Sequence, residues 1–226
     1  MADPLPDHAG HRARLRQRLL ADPAGLLDHE LVEYLLALAI PRRDTKPLAK
    51  ALLAEFGGIG ALLTAEPEAM MRVDGMGDAA AAAIRIAQGS ALRLLHAQVA
   101  DRPMLANWQA LLDYLRADMA HRGVELFRVL HLNTRNVLIR DEIMNQGTVD
   151  QAPVHVREVI RRALELQSAA IILVHNHPSG DPAPSRADIE ITRRIVDAGK
   201  PLNIAVHDHL IIGAHGHASL RALGLI

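Results

Sequence analysis

Residues 169–199 constrain this chain more than any other stretch, because they force a strand, a rigid loop and a helix in immediate succession. Residues 169–174 form an apolar run rich in β-branched side chains and read as a buried strand. Pro178, Gly180, Pro182 and Pro184 stop that strand and impose a loop, after which Ser185 opens a helix carrying Ile189, Ile195 and Val196. His175 and His177 are two residues apart, so on a strand they project to the same side. Asp188, in the first turn of the helix, swings back toward them. Two imidazoles and a carboxylate leave a fourth tetrahedral position open for water, the arrangement of a catalytic zinc rather than of a closed structural one. One zinc per chain is therefore the expected cofactor, although His and carboxylate donors also suit iron, nickel or manganese. Ser185 and Asp188 alone also fit a capping box, with Asp where Glu or Gln is usual. Capping leaves unexplained why both histidines and the proline-rich loop fall beside it.

A metal-assisted hydrolase also needs a base on a neighbouring segment. In residues 124–132 the alternation sets Val124, Leu126, Arg128 and Leu130 on one side of a strand, and Glu125, Phe127, Val129 and His131 on the other. Glu125 is the candidate base, and Glu142 on the next expected strand is the alternative. Near the C-terminus His207, His209, His215 and His217 crowd together, but Gly213 and Gly216 bracket a hairpin turn. That favours solvated turn histidines over a second zinc.

The wording H-N-H-P, then seven residues from His177 to Ser185, then S-x-x-D, closely resembles the signature of the JAMM (MPN-plus) metallopeptidases. Residues 175–192, HNHPSGDPAPSRADIEIT, are similar to the RadC family within that group, as is residues 208–213, DHLIIG, which suggests a place for His209 near the active-site rim. The resemblance implies a mixed-sheet α/β sandwich of cytidine-deaminase-like type. It implies His175, His177 and Asp188 as zinc ligands and Glu125 as the general base. It gives Ser185 the hydrogen bond to a developing oxyanion. The activity implied is that of a peptidase or isopeptidase acting on a peptide or protein substrate.

The 226 residues are 50% hydrophobic and 23% charged, enough to bury one or two sizeable cores. The absence of cysteine excludes disulfides and thiol chemistry. No run of eighteen apolar residues occurs and the first ten residues are polar, so a cytoplasmic protein without a membrane span or signal peptide is expected. The pattern is helical up to about residue 96 and alternates strands with helices from residue 124, which predicts a small all-α domain over 1–100 followed by the α/β domain over 101–226. In the second, the pattern predicts a helix over 108–119, a hairpin over 124–133 and 136–144, helices over 156–167 and 185–199, and short strands over 203–207, 210–212 and 218–220.

The first domain holds residues 71–78, MRVDGMGD, ahead of an alanine-rich helix, which resembles a helix-hairpin-helix. Its G-x-G turn bares backbone N–H groups that suit a phosphate and would hold a DNA backbone without reading its sequence. The same glycines serve equally to join two packed helices. Charge speaks against DNA: residues 1–100 hold 11 Lys and Arg against 12 Asp and Glu, and Asp74 and Asp78 flank the turn. The local basic run is Arg12, Arg14, Arg16 and Arg18, which spreads over more than one helix face. Two other classes stay open: a protein acting on branched or single-stranded DNA, and a binding module with a vestigial metal site.

Overall fold

A computed structural model describes residues 7–100, 103–147 and 154–226. The chain divides into two compact units, Met1–Ser90 and Ala91–Ile226. The first unit is helical: α1 (Asp7–Ala21), α2 (Asp28–Ala39), α3 (Lys46–Phe56), α4 (Ile59–Thr64), α5 (Pro67–Met70) and the first half of α6 (Asp78–Ala100). Its core gathers Val32, Leu36, Leu52, Leu62, Met70 and Ile84. Gly57 ends α3 in the left-handed conformation, φ 78°, which a residue without Cβ adopts at no steric cost. Because α6 continues to Ala100, the division between the compact units falls inside a helix.

The second unit follows the order α7 (Trp108–Met119), β1 (Glu125–Leu132), β2 (Leu138–Gly147), α8 (Val156–Glu165), β3 (Ala170–Asn176), α9 (Arg186–Gly199), β4 (Ala205–Gly213) and β5 (Gly216–Ser219). The strands form one mixed sheet in the order β2-β1-β3-β4-β5. Only β3 and β4 run parallel, with α9 as their crossover; the other pairs are antiparallel. The chain is thus an α/β fold preceded by helices.

Alternation along the central strands feeds two cores. Ile172 and Val174 of β3 face Leu111 and Leu115 of α7, together with Leu130, Leu210 and Ile212. Ile171 and Leu173 face the opposite way, onto Val159, Ile160 and Ala163 of α8 and Ile195 of α9. Covered on both faces, β3 reads as a continuous apolar run, and each such side chain contributes about 1.5–3 kcal/mol by leaving water. The α7 face also buries Arg128, which is partnered by Asp118, Asp141 and the Tyr114 hydroxyl. A buried guanidinium is tolerated only with such partners.

The α7 helix and the β1–β2 hairpin form where the pattern puts them, whereas the expected break between 203–207 and 210–212 does not exist. A β-bulge at His207 explains the difference: Ile171 pairs with Val206, yet Ile172 pairs with Asp208. Val206 and His209 consequently share a face although an unbroken strand would oppose them. The Asp208 carboxylate is buried without destabilising the strand, because it accepts from Ser219 Oγ at 2.5 Å and from Arg221 N at 3.1 Å.

Candidate metal centre

The site lies at the C-terminal end of β3, on the face covered by α8 and α9. His175 is the penultimate residue of the strand and is 1% exposed. His177 extends the strand by one more bond, its N–H donating to Ile212 O at 2.9 Å. The loop beyond closes on itself where Gly180 N donates to His177 O at 2.9 Å, and it is pinned to the β4–β5 turn where His215 N donates to Gly180 O at 3.2 Å. Gly213 permits this approach, because a Cβ there would overlap the Gly180 carbonyl. Asp188 occupies the third position of α9, where its N–H donates to Ser185 Oγ at 3.2 Å and its Oδ2 accepts from Ser185 N at 2.7 Å. The capping box is therefore real, and it aims the carboxylate.

Three side chains converge as a result. His175 Nε2 lies 3.0 Å from His177 Nε2 and 3.3 Å from Asp188 Oδ1, and His177 Nε2 lies 3.6 Å from Asp188 Oδ2. Ligands about 2.0–2.1 Å from a tetrahedral zinc stand about 3.3–3.4 Å apart; the two imidazoles, and the carboxylate through a different oxygen toward each ring, lie within a few tenths of an ångström of that spacing. His177 Nδ1 sits 2.8 Å from Asp181 O, which can only accept, so Nδ1 carries hydrogen and Nε2 is the donor atom of the neutral ring. Among the described residues this is the one cluster of three such side chains whose ligand atoms all fall within 4.8 Å of one another.

Electrostatics favour the ligating form at His175 and Asp188 and oppose it at His177, whose raised pKa means that a metal would have to displace a proton there. Burial pushes His175 down to about 4, which favours the neutral imidazole a metal needs. Burial opposes ionisation of Asp188, but the hydrogen bond with His177, the charge of His175 and the contacts from Ser185 outweigh it and hold the carboxyl well below its usual range. The hydrogen bond with Asp188 raises His177.

Glu125 opens β1 on the same face as Phe127, whose Cα pairs with His175. Its carboxyl is raised by burial and further by the charge of Asp188, against the opposing effect of His177. A half-buried carboxyl near two of the ligands with an elevated pKa is suited to accept and return a proton. Ser185 is exposed, and since its Oγ accepts from Asp188 N its own hydrogen is still available to donate. Glu142 is not at the site: Arg162 holds both its oxygens at 2.8 Å.

Two residues at the site carry roles that the pattern did not predict. Asn176, 1% exposed, points to the opposite face from the histidines; its Oδ1 accepts from Leu126 N at 2.9 Å and its Nδ2 donates to Val124 O at 3.1 Å. It thereby clamps the backbone on both sides of Glu125. His209 is not at the rim but fully buried, its Nε2 2.8 Å from His175 Nδ1. The H-x-H spacing leaves the middle residue unspecified, and the bulge that aims His209 leaves no mark in the apolar pattern. His207 contacts Asn136 Oδ1 at 2.6 Å, while His215 and His217 are exposed.

A family model described as the RadC-like JAB domain matches residues 105–225, more than half of the chain. The chain belongs to the RadC-like JAB domain family. The JAMM/MPN-type fold of that family accords with the mixed sheet and flanking helices of the second unit. The match begins after the α6 helix, so the RadC-like domain carries the His175, His177 and Asp188 cluster and the helical unit precedes it in the chain. In that unit Arg12 is committed to the carbonyls of Pro41, Ile40 and Arg43, and Arg18 to Glu30. Gly75, φ 93°, makes the turn before α6 with the Arg43 guanidinium beside it. No helix among the described residues is long and apolar enough to cross a membrane.

Proposed function

We propose that this RadC-like JAB domain is a zinc-dependent hydrolase that cleaves an amide bond in a peptide or protein, as a peptidase or isopeptidase. The observation that carries the reading is the convergence of His175, His177 and Asp188 at tetrahedral ligand spacing beside Glu125. A bound zinc would supply the Lewis acidity that makes water nucleophilic near neutral pH. His175 and His177 would hold it through Nε2, and Asp188 through its carboxylate. Glu125 takes the proton from the attacking water and returns it to the leaving amine, a role for which burial has already raised its pKa. The Ser185 hydroxyl donates to the oxygen of the carbonyl under attack, where loss of such a donor costs about 3 kcal/mol.

The test is a panel of peptide, isopeptide and phosphodiester substrates offered to the zinc-loaded protein and to Glu125→Gln. Amide hydrolysis by the wild type, with a fall of about 10²–10⁴-fold in a Glu125→Gln protein that retains its zinc, is expected. Full amide hydrolysis by that variant overturns the base assignment, and zinc-dependent cleavage of DNA alone overturns the amide-bond reading.

A further inference from the structure

Building on the zinc reading above, we propose that His209 and Thr192 are positioning residues that hold the His175 proton on Nδ1 and so keep Nε2 bare toward the metal position. The polarity is set at the far end of a three-member chain. Thr192 Oγ1 lies 2.5 Å from the carbonyl oxygen of Asp188, and a carbonyl only accepts, so the hydroxyl hydrogen points there. The same Oγ1 lies 2.5 Å from His209 Nδ1 and has only lone pairs left to offer, so Nδ1 carries hydrogen. A neutral imidazole has one N–H, which makes His209 Nε2 an acceptor. It stands 2.8 Å from His175 Nδ1, which must therefore donate. His175 Nε2 is left without a proton where it faces His177 and Asp188.

Nothing else at the site sets that choice. Free neutral histidine prefers its proton on Nε2, and here both the bare His177 Nε2 at 3.0 Å and the Asp188 carboxylate at 3.3 Å would draw it to Nε2 as well, so the relay has to outweigh them. The surroundings exclude water that could replace the relay: His209 and Thr192 are both fully buried, and the Phe127 ring packs 5.8 Å from His209 and 6.5 Å from His175. The bulge at His207 turns His209 onto this face, and Thr192 stands one helical turn beyond Asp188 on α9. The relay thus links one ligand ring to the backbone of another ligand. Metal-bound histidines usually donate to a carboxylate, a carbonyl or water; here the acceptor is a neutral imidazole, which orients the ring without adding negative charge.

The experiment reads the ring directly. Long-range ¹H–¹⁵N correlation spectra of the metal-stripped protein report which nitrogen of His175 is protonated. They are compared for the wild type, His209→Leu, Thr192→Val, and the conservative His209→Gln and Thr192→Ser. Nδ1–H is expected in the wild type and both conservative variants, with a shift toward Nε2–H in His209→Leu and Thr192→Val. Zinc retention against a competing chelator should fall about 10–100-fold in the latter two only. A wild-type His175 protonated on Nε2, or Nδ1–H that persists in both disruptive variants, overturns the proposal. Where the wild type binds zinc, equal retention in all five proteins also overturns it. A wild type that keeps Nδ1–H yet never binds zinc contradicts the hydrolase reading while leaving the relay standing.

Discussion

Replacing Asn176 with Leu tests whether the residue between the two histidines serves the opposite side of the strand. The substitution keeps the branched shape of the side chain, at slightly larger volume, but removes the acceptor for Leu126 N–H and the donor to Val124 C=O. Leu126 is 1% exposed, so its N–H stays dry and carries most of a 1–3 kcal/mol penalty, whereas water reaches the half-buried Val124 in part. The two together predict a loss of about 2–4 kcal/mol. Urea unfolding followed by Trp108, the single tryptophan and a residue of the second unit, measures it. Amide exchange at Leu126 should accelerate, zinc content should stay unchanged because the ligands face the other way, and hydrolysis should fall because Glu125 is no longer held between two fixed peptides. An unaltered urea midpoint with unaltered Leu126 exchange would refute the clamp.

Acid should weaken the second unit through His131, fully buried with Nδ1 3.0 Å from Ser168 Oγ. Burial lowers it to about 4, so between its unfolded value near 6.5 and that pH the unfolded chain binds more protons, and stability falls as pH falls. The contribution, about 3 kcal/mol, is complete above pH 6.5 and gone below pH 4, and the urea midpoint of His131→Asn should flatten across that window relative to the wild type. Gly213→Ala should cost about 1–3 kcal/mol and loosen zinc, read by chelator competition, because the new methyl displaces the Gly180 carbonyl and with it the loop that fixes His177.

The strand-loop-helix of β3 and α9 was legible because an apolar run, three prolines and a cap each act locally, and the convergence of His175, His177 and Asp188 follows from that geometry. The choice of Glu125 as base came from the resemblance, whereas the face of β1 that it shares with Phe127 was legible from alternation. The continuity of β4 was not, because its bulge is held by pairing with β3 and by the Asp208 hydrogen bonds, both tertiary. The resemblance of residues 208–213 suggested a rim position for His209, whereas the bulge turns it inward beneath His175. The expected domain boundary near residue 100 followed a polar, proline-bearing stretch, whereas the compact units divide within α6, whose Leu92, Leu95 and Val99 pack with the α7-side core. A helix that continues through a change of packing partner gives no break in its own periodicity.

The central claim is that His175, His177 and Asp188 hold a catalytic metal, and elemental analysis of protein purified without a metal-affinity tag tests it most directly. The account predicts about one zinc per chain in the wild type and none in folded His177→Ala or Asp188→Ala. A wild type that stays metal-free after zinc is added back, or variants that keep their zinc, would contradict it.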